Sequence, residues 1–183
     1  MKAISKFELL STLEQETEKH LTEAVRVFQN LPEKILLKPA ANGGWSIAQC
    51  LAHLNSYGRF YLPAIAHALD HPEGNACNEN FTSGWLGNYF TKMMQPGSSV
   101  KKYKSPKDHS PVADLNAAAV IAEFIEQQEQ LIIQLRKAKT VNISATRVPV
   151  SISKWIRLKL GDTFRFLIAH NERHILQAKR HLK

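Results

Sequence analysis

Apolar residues recur three and four positions apart in four long stretches of the chain, the period of an amphipathic helix. In residues 5–31 the stripe is Phe7, Leu10, Leu21, Ala24, Phe28 and Leu31, and Glu14 and Thr17 interrupt it. Ser5 with Glu8 has the spacing of a capping box, and Pro32 stops the helix. A second helix is predicted over 46–70. Ser46 and Gln49 form another capping box there, Trp45 can pack back as a staple, and Pro63 predicts a kink near Tyr61–Leu62. The third helix spans 113–138, with Leu115, Val120, Ile121, Phe124, Ile125, Leu131 and Leu135 facing inward. The fourth spans 160–182.

The intervening segments are of a different kind. Residues 71–112 contain Pro72, Gly74, Gly84, Gly87, Pro96, Gly97, Pro106 and Pro111. They read as a long connection, a crossover or a lid, broken by one short helix around 84–94. The stretch from Lys101 to Lys107 reads as exposed. In residues 139–158 Val148, Val150 and Ile152 alternate as in a strand, but Pro149 excludes a central one. The expected fold is all-α: a four-helix bundle with a long crossover between helices two and three, in one domain over residues 1–183.

Composition narrows the class. A chain of 183 residues with 44% hydrophobic and 22% charged residues can bury a sizeable core. Two cysteines, Cys50 and Cys77, exclude a disulfide scaffold and a cysteine-based zinc site, and they suit a reducing cytoplasm. No apolar run approaches the roughly 20 residues of a membrane span, and residues 1–19 lack the apolar centre of a signal peptide. A cytoplasmic protein with no membrane partner is expected. The net charge of +8 is uneven: residues 1–135 carry 12 Lys+Arg and 14 Asp+Glu, residues 136–183 carry 12 and two. No nucleic-acid motif or interleaved aromatic set accompanies the basic end, so a solvated surface is expected there and nucleic acid is not an expected partner.

Eight histidines occur. His20, His67, His71, His109 and His181 have no obvious chemical company. His170 and His174 are four apart, on one helix face. With Phe166 and Gln177 they share a stripe, as His53 does with Gln49, Ser56 and Phe60 on helix two. Three imidazoles from facing helices can hold one divalent ion and leave a position open for water. Spacing alone equally allows three histidines each bonded to its own neighbours. The zincin pattern is absent, because Asn171 stands where that motif has Glu. Glu172 lies about 200° round the helix from His170 and points away from the pair.

Two stretches carry a family resemblance. Trp45-Ser46-Ile47-Ala48-Gln49-Cys50-Leu51-Ala52-His53-Leu54 resembles the W-S-x-x-Q-x-x-x-H-L opening of helix two in DinB/YfiT-like proteins. The run from Leu160 to Gln177, with His170, Arg173, His174 and Gln177 in an H-x-x-R-H-x-x-Q pattern, resembles their last helix. The element order agrees over the whole chain, the motifs over about 30 residues. The resemblance implies a four-helix bundle with a divalent metal held by His53, His170 and His174, and a metal-dependent hydrolase or a low-molecular-weight thiol transferase.

Three neutral imidazoles leave the ion its full charge. That lowers the pKa of bound water to about 7 in favourable sites, and would equally favour a thiolate. The expected cofactor is zinc or nickel, since imidazole suits both. The expected partner is a small-molecule substrate, anionic or a thiol; a homodimer is compatible with the sequence. Gln49, Arg173 and Gln177 are the candidates to support the site. Gln49 either reaches the metal water or closes its capping box, and Arg173 either binds an anionic group or is a surface arginine. Tyr57, Trp85 and Tyr89 either line a pocket or belong to the core. Cys50 reads as packing. The non-catalytic alternative is a module stapled by the metal, with Glu14, Glu129 or His20 as a fourth ligand.

Overall fold

Four helices of 20 to 24 residues carry the fold: α1 (Lys6–Arg26), α3 (Ile47–Asp70), α5 (Ala117–Lys137) and α6 (Leu160–Lys179). They are joined by the single-turn α2 (Glu33–Leu36), the short α4 (Trp85–Met94) and two small antiparallel pairings. One pairs β1 (Ile4–Ser5) with β2 (Asn80–Phe81), and the other β3 (Arg147–Val150) with β4 (Ser153–Lys159). A computed structural model describes residues 2–41, 43–75, 78–97 and 105–182, with Lys154 described by its backbone only. Cys77 and Lys101–Lys104 of the expected exposed stretch lie outside the described residues.

Cross-helix contacts fix the directions. Glu14 meets Arg136 while Lys6 reaches the Val141 carbonyl, so α1 and α5 are antiparallel. Gln127 bonds the Asn55 carbonyl and Gln134 the Leu62 carbonyl, so α3 and α5 run parallel. His20 meets Glu172 and Glu23 meets Lys179, so α1 and α6 are parallel. The long connection after α3 is the physical consequence: parallel neighbours cannot be joined by a tight turn, so the chain must return along the bundle. The all-α bundle with its crossover between the second and third long helices is therefore the observed architecture.

Several local expectations change. The first helix ends at Arg26, not residue 31, and continues as a 3-10 turn over Phe28–Asn30. Its buried stripe is Leu10, Leu13, Thr17, His20, Ala24 and Phe28, and Phe7 is 50% exposed. The third long helix starts at Ala117, where Asn116 Oδ1 accepts from the Ala119 amide as N-cap. Residues 147–159 form a two-stranded hairpin, with an irregularity at Pro149/Val150. Pro149 is tolerated because a two-stranded ribbon has only edge strands. Pro63 lies within an α3 assigned as one helix throughout.

The core has two apolar ends and a polar belt. One cluster gathers Leu10, Leu13, Tyr61, Ile65, Leu135, Phe164 and Ile168; the other gathers Ala24, Phe28, Ile47, Leu51, Phe124 and Ile175. At intermediate positions of all four long helices lie the buried polar residues Thr17, His20, His53, Asn55, Gln127, Gln128, His170 and Asn171. The interruption of the α1 stripe at Thr17 is part of this belt.

Candidate metal centre

The belt is organised by one turn of α6. Four consecutive side chains reach four different helices: His170 meets His53 of α3, Asn171 donates to Gln128 of α5, Glu172 bonds His20 of α1, and Arg173 donates to the Met93 carbonyl of α4. Successive helical residues are separated by about 100°, so four in a row point round the whole circumference. A central α6 surrounded by partners gives each direction something polar to meet. The same contacts set the rotation of α6 about its axis, and with it the aim of His170 and His174.

The three histidines converge. His53, His170 and His174 are 3%, 2% and 9% exposed, and one ring nitrogen from each lies within 4.8 Å of the others. His53 Nε2 stands 3.1 Å from His170 Nε2. Two nitrogens bound at 2.0–2.1 Å in tetrahedral geometry are about 3.3 Å apart. Two of the rings are oriented from behind. His53 Nδ1–H donates to the His109 carbonyl at 2.7 Å, and His174 Nδ1–H donates to Gln177 Oε1 at 3.0 Å. With the proton held on Nδ1, each Nε2 keeps its lone pair for an ion. His170 Nδ1 is buried with no hydrogen-bond partner among the described residues.

Burial keeps the rings neutral. It drives the His53 pKa down to about 4, against the opposing pull of its hydrogen bond to His109. It drives His174 down to about 3, helped by the neighbouring His53 and Arg173. His170 is held well below its ordinary value by burial, and then by His174 and His53. Neutral imidazole is the form that ligates a metal, so the donor set fits one divalent ion of the imidazole-preferring kind. Among the described residues no carboxylate or thiol joins this cluster.

Aromatic rings wall it in. The half-buried Trp45 lies over His53 at 4.8 Å and His174 at 5.7 Å between ring centroids. Tyr57 sits edge-on to His170 at 4.4 Å and stacks on the His109 ring at 4.0 Å. His109 Nδ1–H donates to Ser56 Oγ, which donates in turn to the His53 carbonyl. The turn Lys107–His109 is thus seated on α3, and its carbonyl orients one of the three rings.

A family comparison completes the picture: the model of the DinB superfamily matches residues 16–178. The chain belongs to the DinB superfamily. The match takes in the second half of α1, all of α3 and α5, α6 as far as Ala178, and all three histidines of this DinB-superfamily chain. No curated protein and no solved structure gives a significant match.

Other candidate residues take definite places in this DinB-superfamily bundle. Gln49 closes the Ser46 capping box and donates to the Val112 carbonyl, so its amide is committed to the start of α3. Glu14 is held by Arg136 and Lys139, Glu129 is exposed, and His20 pairs with Glu172. Trp85 and Tyr89 are neither core nor lining of the centre: they are 78% and 51% exposed. Cys50 is fully buried, and burial pushes its thiol pKa up to about 12, as expected of a packing residue. His20, His109 and His181 all have partners that spacing did not reveal. His181 donates to the Trp45 carbonyl, which ties the chain's last turn to the tryptophan over the centre. Of the three, only His20 left a local signal, its place on the Leu13–Thr17–His20–Ala24 spacing.

Proposed function

We propose that the protein is a metal-dependent hydrolase in which His53, His170 and His174 hold one divalent ion, zinc or nickel. The observation that carries this reading is the convergence of three buried, neutral rings, two of them oriented by acceptors behind them. A bound ion would supply an activated water and a positive charge for a substrate oxygen. The chain's own residues do the rest. The His109 carbonyl and Gln177 keep the Nδ1 protons in place, while Trp45, Tyr57 and the His109 ring exclude bulk water and so strengthen every charge interaction inside. A three-histidine set with no fourth protein ligand among the described residues leaves a position for substrate, which favours the catalytic reading over a metal staple.

The test is elemental analysis of purified protein, with the His170→Ala protein beside it, followed by ester, amide and thiol-adduct substrates. We expect one zinc or nickel per chain, an affinity lower by at least about 100-fold in His170→Ala, and an unchanged helical circular-dichroism spectrum. Stoichiometric metal retained by His170→Ala after dialysis against a mild chelator would place the ligands elsewhere. Turnover of thiol adducts alone would replace hydrolysis with thiol transfer, and an unfolded His170→Ala would indicate a structural metal.

A further inference from the structure

The charge around the three histidines does not balance. The cluster itself contains no acid among the described residues. Glu172 is turned to His20, and the buried Asp162 is taken by Ser83, the Gly84 amide and Arg165. Against this stands Arg173, one helical turn from His170 and next to His174. Arg59, Arg136, Arg157 and Arg165 each meet a carboxylate. Arg173, like Arg26, Arg147 and Arg180, meets none among the described residues, but of these it alone is half-buried on α6 beside the three histidines. Its hydrogen bond is one long contact of 3.4 Å from Nη1 to the Met93 carbonyl at the end of α4. A guanidinium has five N–H donors in a planar fork, so the described residues satisfy only a small part of its capacity.

We propose that Arg173 is the anion-binding residue of this site, and that the substrate carries a carboxylate held by its guanidinium while the reacting group lies at the three histidines. This rests on the metal reading above and extends it to the class of substrate. With a divalent ion on three neutral imidazoles, the centre and Arg173 together would carry three positive charges, with no acid of the described residues in the cluster to offset them. A neutral substrate would leave that charge uncompensated in a largely water-excluded place, whereas an anion removes the imbalance. The planar fork matches a carboxylate better than a point charge would. Residues three apart on a helix have Cβ atoms about 5–6 Å apart, so the carboxylate and the reacting group should be separated by a distance of that order. The Met93 contact also aligns the guanidinium, because the last carbonyls of α4 attract a cation.

The test uses the full chain, zinc-loaded and zinc-free, with 4-hydroxybenzoate and its neutral isostere 4-hydroxybenzamide as probes in titration calorimetry. We expect the wild-type protein to prefer the anion by about tenfold or more. Arg173→Gln should abolish the preference and keep its zinc, and Arg173→Lys should retain part of it. A zinc-loaded Arg173→Gln protein that still prefers the benzoate, or a wild-type protein with no preference, would overturn the proposal. Zinc stoichiometry is read separately. Loss of zinc from the wild-type protein would refute the metal reading, while the zinc-free titrations would still show whether Arg173 selects the anion. If Arg173→Gln fails to fold, the wild-type and Arg173→Lys titrations decide.

Discussion

Two glutamines, one from each of the two family motifs, do different work. Gln49 caps α3 through its own backbone partners, and Gln177 accepts the proton side of a candidate ligand. Replacing Gln177 with Leu should lower zinc affinity about 10- to 100-fold with little change in stability. Gln49→Ala should cost about 1 kcal/mol of stability and leave zinc affinity unchanged. Chelator competition and urea titration, run on both variants, separate the two roles. The histidines also make the metal-free protein acid-sensitive. Each takes up its proton near 6.5 when unfolded, but His53 does so only near pH 4 and His174 near pH 3 in the fold. Below 6.5 the unfolded chain therefore binds more protons than the native one, and stability falls as pH drops from 6.5 toward 4 and below. Urea midpoints of the metal-free protein between pH 7.5 and 4.5 should decline across that window. A flat profile would mean that the rings are not buried neutral.

At the scale of elements, α4 is the instructive case. Its amphipathic composition makes it a helix, but its place is decided by α6. Asp162, 1% exposed, accepts from Ser83 and from the Gly84 amide at the start of α4, while Arg173 holds the carbonyl of Met93 near its end. Both ties come from one helix, so α4 lies alongside α6 past the candidate centre. Gly87 makes the approach achievable, because a Cβ there would overlap the Asp162 side chain. Asp162 is short and bonded on several sides, so it cannot step aside. Gly87→Ala should cost about 1–3 kcal/mol by overpacking, even though alanine is the better helix former. Denaturant titration gives the magnitude, and hydrogen exchange should show α4 losing protection before α1 or α5. A stabilised Gly87→Ala protein would show that the close approach is not required.

Over the whole molecule, the uneven charge finds an internal use. The basic last quarter meets acids from the earlier chain: Arg136 pairs with Glu14 and Glu18, Lys139 with Glu14, Arg157 with Glu73 and Lys179 with Glu23. Such exposed pairs contribute little stability each. They tie part of the basic excess to acids of the earlier chain. The expected outcome of a gel-shift experiment at physiological salt is no nucleic-acid binding tighter than about micromolar; tight binding with a steep salt slope would contradict this. None of the described helices is long and apolar enough to cross a membrane.

The four long helices and their order were legible in the chain because apolar spacing, capping residues and prolines act locally. So was the convergence of His53 with His170 and His174, since His170 and His174 share a helix face and the family motifs name the third. What the sequence could not supply were relations between segments far apart in it. Phe7 looked inward by spacing, yet the true α1 stripe runs through Thr17 and His20, because His20 finds Glu172 across the bundle. His109 lies in an irregular connection with no periodicity to read, yet its carbonyl holds the proton of His53. Arg173 acquires its meaning only when the acids of the neighbouring helices are seen to be engaged elsewhere. Local patterns encode where helices begin, end and show an apolar face. Which polar groups are left to face one another is decided by packing, since a buried polar atom is tolerated only where the fold brings it a partner.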